Sequence, residues 1–301
     1  MKYAGRLGRI FKQYCVSYFM LSFWLLTFIV FLLIPIISAI VLSFTSYDLI
    51  NQPNFNGLDN YVQLFLGDDV FITALKNTLL FAVITGPVGY ILSFTLAWFI
   101  SDLNDYIRPI FTLLFYLPTL AGNVYFVWLY IFSGDSYGIA NSWLIRFGLV
   151  REPVQWLTDP RYNFGVVVVV LLWLSMGAGF LAFVAGFKQL NPDLTEAACI
   201  DGVGNRWQEL YHITLPQMVP QLLIGAVLSI SAALSVGIQP MMLTGMPSTD
   251  YSTHTLLLHI LDMGNNRYEM GYACAVAVVL FLLMIFSWNI ISRALTRLSG
   301  D

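Results

Sequence analysis

The sequence predicts an all-α polytopic membrane protein with six transmembrane helices. Three observations predict it. The chain is 58% hydrophobic and only 10% charged, whereas soluble domains carry about 25% charged residues. Six long stretches contain no Asp, Glu, Lys or Arg. The basic residues between them fall unevenly on alternate loops, which predicts N-in and C-in topology.

The segment before the first stretch carries Lys2, Arg6, Arg9 and Lys12. A secretory signal is also basic and then apolar. Here the apolar run is too long and lacks a small-residue cleavage site, so it is expected to stay as a helix. The uncharged runs are 13–47, 77–101, 109–134, 162–187, 210–249 and 270–292. Each exceeds the roughly 20 residues that cross a hydrocarbon core. None shows the alternation of a membrane barrel strand. The fifth run is long enough for two spans, but Pro216, Pro220, Gln239, Pro240 and Pro247 crowd its ends. Its apolar middle, 222–243, is expected to form one span.

With the N-terminus inside, the inner segments add Arg108, Lys188, Arg206, Arg293 and Arg297 to the first four basic residues. The outer loops hold only Lys76, Arg146, Arg151, Arg161 and Arg267. Loops 48–76, 135–161 and 250–269 are therefore expected outside, and loops 102–108 and 188–209 inside. The expected organisation is a cytoplasmic segment 1–17, a transmembrane domain 18–293 with an inner loop at 188–216, and a cytoplasmic tail 294–301. Tyr61, Phe65, Trp143 and Trp156 on the outer loops are expected at the headgroup level.

Several functions lack their chemistry. The net charge of −3 leaves no basic footprint for nucleic acid. Cys15, Cys199 and Cys274 are widely spaced and read as inert thiols. No phosphate-cradling GxxxxGKS or GxxxxGKT loop is present, so this chain does not hydrolyse ATP by that route. No GxSxG nucleophile elbow is present either. Gly202-Val203-Gly204 begins like a dinucleotide fingerprint, but Trp207 stands at the third glycine. His254 and His259 are five residues apart, a spacing that does not share a helix face, and His212 is expected across the membrane. No catalytic residue, metal or bound cofactor is therefore expected. The runs also lack the ionisable groups that ion-coupled carriers place at membrane depth. A transporter of this kind is expected to draw energy elsewhere and to carry a neutral solute.

The loop at 188–216 carries the most specific signal. Asn191 suits a helix N-cap and Pro192 the first helical position. Asp193 and Glu196 fall in the first turns, where acids oppose the helix dipole. Gly202 suits a left-handed helix end. The pattern predicts a helix over 192–201, a break at 202–205 and a second short helix over 206–212. Such an elbow is shaped to dock in a groove on another protein.

Glu196-Ala197-Ala198, then Asp201-Gly202, then Ile213-x-Leu215-Pro216 resembles the EAA loop of permease subunits of binding-protein-dependent ABC importers. Trp207-Gln208 and the Ile-Thr-Leu-Pro ending resemble the carbohydrate-uptake branch, which includes the maltose and glycerol-phosphate permeases. Phe55-Asn56-Gly57-Leu58-Asp59-Asn60-Tyr61, with Leu75-Lys76-Asn77-Thr78, is similar to the segment before span two in that branch. Gln155-Trp156-Leu157-x-Asp159-Pro160 is a weaker third match. One departure is that ten residues, Val203 to His212, separate Gly202 from Ile213, where the family has about nine. One inserted residue rotates a following helix by roughly 100°, so the second half of the elbow is expected to sit differently.

The resemblance implies the type I ABC importer permease fold in the cytoplasmic membrane. It implies that Glu196, Ala197, Ala198, Asp201, Gly202, Ile213, Leu215 and Pro216 couple the chain to ATPase subunits. The implied partners are a second paralogous permease, two ABC ATPase subunits that hold ATP and Mg, and an extracytoplasmic solute-binding protein. A neutral glycan would cross between the two permeases. Candidate path residues are the polar groups of the spans, Asn123, Trp173, Ser175, Ser229, Ser235 and Gln239. Helix packing is the competing role for each. Gly177 and Gly179 are expected to allow close helix approach. A non-sugar solute, or a six-span ion-coupled carrier or membrane enzyme, remains the alternative, and a homodimer stays open beside a heterodimer.

Overall fold

The computed structural model describes residues 14–122 and 124–298. Residues 1–13, Asn123 and 299–301 lie outside the described residues, and with them most of the expected N-terminal segment and the end of the tail. The chain begins with α1 (Cys15–Phe28), which runs through a π-turn (Ile29–Leu33) into α2 (Ile34–Leu42). A short antiparallel hairpin pairs β1 (Thr45–Ser46) with β2 (Asn54–Phe55), with Thr45 opposite Phe55. After α3 (Asp59–Leu66) comes the longest helix, α4 (Asp69–Ser101). Asp68 starts it as an N-cap, its carboxylate accepting from the Phe71 N–H at 2.9 Å.

A tight turn reverses the chain into α5 (Arg108–Leu120) and α6 (Tyr125–Ile131). Helix α7 (Ile139–Arg146) lies in the following loop. Asp159 caps α8 (Pro160–Leu174), and α9 (Ala178–Lys188) continues it beyond a break at 175–177. Helices α10 (Pro192–Ile200) and α11 (Arg206–Glu209) form the elbow. A π-turn (Leu210–Thr214) and α12 (Leu215–Gln217) lead into α13 (Val219–Leu234), then α14 (Ile238–Thr244). After α15 (Leu256–Leu261), α16 (Met270–Leu298) closes the fold. It extends beyond residue 293, the expected end of the transmembrane domain.

Among the described residues, four helices are long and apolar enough to cross a membrane: Phe19–Leu42, Asp69–Ser101, Pro160–Lys188 and Met270–Arg293. Two bent pairs complete the set, Arg108–Leu120 with Tyr125–Ile131 and Arg206–Gln217 with Val219–Leu234. The count is four, or up to six if each bent pair is one span. The second pair bends by 81°, which sets the elbow off the axis of α13. The expected span 222–243 is interrupted, because α13 ends at Leu234 and the helix resumes only at Ile238.

Helix α4 is the axis of the bundle, with α8, α9, α13 and α15 packed against it. Phe183 of α9 is fully buried, edge-on to Tyr90 and Phe94 of α4 at centroid distances of 5.2 and 5.5 Å. On its other side lies Gly225 of α13, where a Cβ would overlap the Phe183 ring. Lipid tails are as apolar as leucine, so helices associate there through close packing rather than water exclusion. Gly225 supplies that closeness. Gly177 and Gly179 do not, since a Cβ on either would meet its neighbours no nearer than 3.5 Å.

Replacing Gly225 with Leu is expected to overpack this contact, at a cost of about 1–3 kcal/mol. Thermal unfolding in detergent measures it. An unchanged midpoint would show that α9 and α13 do not depend on this approach.

Candidate functional site: a polar cavity and its two anchored ends

Three of the helical segments break at one level, at 121–124, 175–177 and 235–237. Broken backbone is tolerated at membrane depth only where it is buried or lines a cavity. Here it does both. The breaks border a cavity of about 480 Å³ walled by α4, the α5–α6 and α8–α9 breaks, and α13–α14. Side chains satisfy the released backbone groups. Thr119 Oγ1 donates to the Met176 carbonyl at 3.2 Å, Ser93 Oγ to the Ser175 carbonyl at 3.1 Å, and Thr255 Oγ1 to the Val236 carbonyl at 2.7 Å.

Among the described residues, the polar lining consists of Thr85, Tyr90, Thr119, Tyr125, Ser175, Ser229 and Gln239, and no Asp, Glu, Lys or Arg lines the cavity. Hydroxyls, one amide and two phenol rings can hydrogen-bond a polyol and stack on its apolar face. Of the six candidate path residues, the fold brings Ser175, Ser229 and Gln239 to this wall. Trp173 instead packs edge-on against Trp128 at 5.3 Å, and Ser235 is not part of the lining. Asn123 lies outside the described residues, between the lining residues Gly122 and Val124. Sequence reasoning missed Thr85, Tyr90, Thr119 and Tyr125. Thr85 and Gly89 stand one turn apart on α4, a signal of a small polar face that spacing alone offered.

At one end of the bundle sits the elbow. Asn191 Oδ1 caps α10 by accepting from the Asp193 N–H at 3.0 Å, and Asn205 Oδ1 caps α11 by accepting from the Trp207 N–H at 3.0 Å. Gly202 between them has φ +95°, the conformation that only glycine adopts without strain. Glu196, Ala197, Asp201, Gly202 and Pro216 are exposed, Ala198, Ile213 and Leu215 half-buried. The expected second helix runs on from α11 as a π-turn. A π-turn takes up one residue more than an α-turn, which is the room an additional residue in this segment needs.

At the other end, residues 253–256, 258 and 259 are buried beside the start of α4. His254 lies in the loop before α15, and Thr255 rather than a helical turn separates it from that helix. The two histidines do not share a helix face, yet their rings meet, with His254 Nε2 3.4 Å from His259 Nδ1. His259 Nε2 lies 3.2 Å from the Asp68 carboxylate, which also accepts from Tyr272 Oη at 2.7 Å. Asn77 Nδ2 donates to the Tyr251 and His254 carbonyls, both at 2.9 Å. Among the described residues no three His, Cys, Asp or Glu side chains converge as a metal site. Burial holds His254 down at about 4. Burial also lowers His259, against the pull of Asp68. Burial pushes Asp68 up, but the hydrogen bonds from Tyr272 and Phe71 and the nearby His259 leave it below the usual carboxylate range.

A bundle of apolar helices around an uncharged polar cavity, tied at one end and bearing an exposed elbow at the other, defines a multi-pass membrane permease. Residues 87–298 match the family described as "Binding-protein-dependent transport system inner membrane component", and the chain belongs to it. The chain is 31% identical over 280 residues to the probable ABC transporter permease protein YesP of Bacillus subtilis, covering 91% of this chain and 88% of that one. It is 29% identical to the arabinooligosaccharides transport system permease protein AraP of Bacillus subtilis, over 100% of this chain and 93% of AraP. A chain in the crystal structure of a bacterial ABC transporter that imports the acidic polysaccharide alginate superposes with a TM-score of 0.78 at 28% identity, covering 96% of this chain and 99% of that one.

The buried histidines make the capped end acid-sensitive. Both resist protonation in the folded state, so the unfolded chain binds more protons below the ordinary histidine value of 6.5. Stability is intact above pH 6.5 and is lost as pH falls from there toward about 4. Hydrogen exchange across 248–262, corrected for intrinsic rate, is expected to lose protection over that window. A His254→Gln, His259→Gln chain should lose that pH dependence. A flat wild-type profile would contradict the neutral, buried assignment.

Proposed function

We propose that this chain is one half of the translocation path of an ATP-driven importer for neutral oligosaccharides. The observation that carries the reading is the cavity lined by hydroxyl, amide and phenol groups without a fixed charge. A charged solute in that low-dielectric wall would lack a counter-charge. The second half of the path comes from a second permease of the same fold, identical or paralogous. Two ATPase subunits hold the ATP and Mg, and an extracytoplasmic binding protein delivers the glycan. The transmembrane domain comprises 18–293, with both termini and the 188–216 loop on the cytoplasmic side. That loop docks on an ATPase subunit through Glu196, Ala197, Ala198, Asp201, Gly202, Ile213, Leu215 and Pro216.

The arabinooligosaccharide relative fits a neutral glycan, while the alginate transporter handles an acidic one. Arg146, Arg151 and Arg161 on the outer loop are the groups that would meet a uronate. Arg161 is already paired with Asp159 at 3.4 Å, and Glu152 adjoins Arg151. The uncharged cavity wall supports the neutral class.

Uptake by the assembled complex in liposomes tests this reading. A neutral pentose or hexose oligomer should be transported and a uronate oligomer should not. Gln239→Ala should lower uptake roughly 2- to 10-fold, the worth of one hydrogen bond of about 0.5–1.5 kcal/mol. Uronate selectivity that disappears with Arg151→Ala would overturn the neutral assignment. Uptake by the isolated chain would overturn the importer itself.

The elbow has its own test. Gly202→Val puts a β-branched side chain at φ +95° and misdirects α11, so ATPase co-purification should fall while the helices still insert. Glu196→Ala should act in the same direction but more mildly. Normal co-purification and normal coupled hydrolysis in both variants would reduce the loop to a connector.

A further inference from the structure

The coupling residues named above are all within the loop itself. None of them explains how a displacement of the loop reaches the cavity. The contact between the elbow and the end of α4 does. Asp102, the residue that ends α4, forms an ion pair with Arg206, the first residue of α11. The same guanidinium lies over the Trp98 ring, 5.3 Å from its centroid. Trp207 meets that ring edge-on at 4.9 Å. Trp98 is buried, in one cluster with Leu210 and Met218 from the segment that leads into α13.

The chemistry of this contact is directional. A carboxylate at a helix C-terminus opposes the negative end of the dipole. Asp102 therefore needs a cation, and the only element that supplies one to its carboxylate among the described contacts is the elbow. The planar guanidinium satisfies the acid and the ring face at once, which a lysine ammonium does less well. From Trp98 the helix runs on to Tyr90 and Gly89, and past Pro87 to Thr85, in the cavity wall. Along that length Ser93 Oγ bonds the Ser175 carbonyl and Tyr90 Oη bonds the Leu222 carbonyl at 3.2 Å.

We propose that Arg206, clamped between Asp102 and Trp98, is a positioning residue that passes movement of the docked elbow to α4 and so to the cavity wall. The proposal rests on the reading that the elbow docks on an ATPase. The ion pair is about half-exposed on both sides, and such pairs contribute little to stability. Its removal therefore leaves the fold in place and takes away only the joint.

The test uses the complete transporter with its partner permease and ATPase subunits in liposomes. The native cysteines are replaced by alanine and Ser229→Cys is introduced as a reporter in the cavity. Labelling by an impermeant maleimide is measured with and without ATP plus vanadate. In this parent the nucleotide is expected to change the labelling rate at least 5-fold. Arg206→Ala should abolish that change while ATPase co-purification stays at the parent level. Arg206→Lys should give an intermediate response. The exchanged pair, Asp102→Arg with Arg206→Asp, should restore at least half of it. A full nucleotide response in Arg206→Ala would overturn the proposal. So would loss of the ATPase from Arg206→Ala without rescue by the exchanged pair, which would make Arg206 a docking residue. A parent whose labelling ignores nucleotide would sink the coupling reading, and the joint with it.

Discussion

A membrane interior offers no water to an unpaired peptide group, and the architecture of this chain follows from that constraint. A solute path needs polar groups at membrane depth. Breaking helices exposes such groups, and every broken segment must then be tied by a side chain. Thr119 and Ser93 do this at the 175–177 break, and Thr255 does it at the 235–237 break. Each is a short hydroxyl on a neighbouring element, so satisfying the backbone also locks that element in place. The cavity and the packing of its walls are consequently one structure, and neither can be altered alone.

The same logic separates what the sequence discloses from what it does not. The apolar runs are legible because lipid demands them over the full length of a span. The elbow is legible because Asn191, Pro192 and Gly202 each occupy a position that one backbone conformation requires. The cavity lining is only half legible. Ser175, Ser229 and Gln239 stand out as polar residues in apolar runs. Thr85 and Tyr90 stand in the same kind of run, but their side chains also suit helix packing, and only the crossing of α4 with α9 and α13 separates the two uses. Trp173 shows the converse, a large polar-tipped ring spent on Trp128.

Two local expectations give way to backbone detail. The spacing of His254 and His259 argues against contact only if both are helical, and the helix begins after His254. The additional residue before Ile213 implies a rotated helix only if the turn is α-helical, and it is a π-turn. In both places a count along the sequence assumed a regular repeat where the chain does not keep one. Caps and single π-turns depend on neighbours far away in sequence, which is why periodicity does not report them.

Helix α4 also carries Pro87 in its interior. Proline has no N–H to give the carbonyl four residues earlier, here Val83, so the helix lacks one rung of its ladder at the level of the cavity. Gly86 and Gly89 flank the gap. The helix is thus a beam held at both ends, by Asp68 with the histidines at one and by Arg206 at the other, with its lowest bending stiffness near mid-length. Strain applied at either support concentrates at that soft point. The compliance of the whole chain is placed beside the solute rather than at the joints that carry the load.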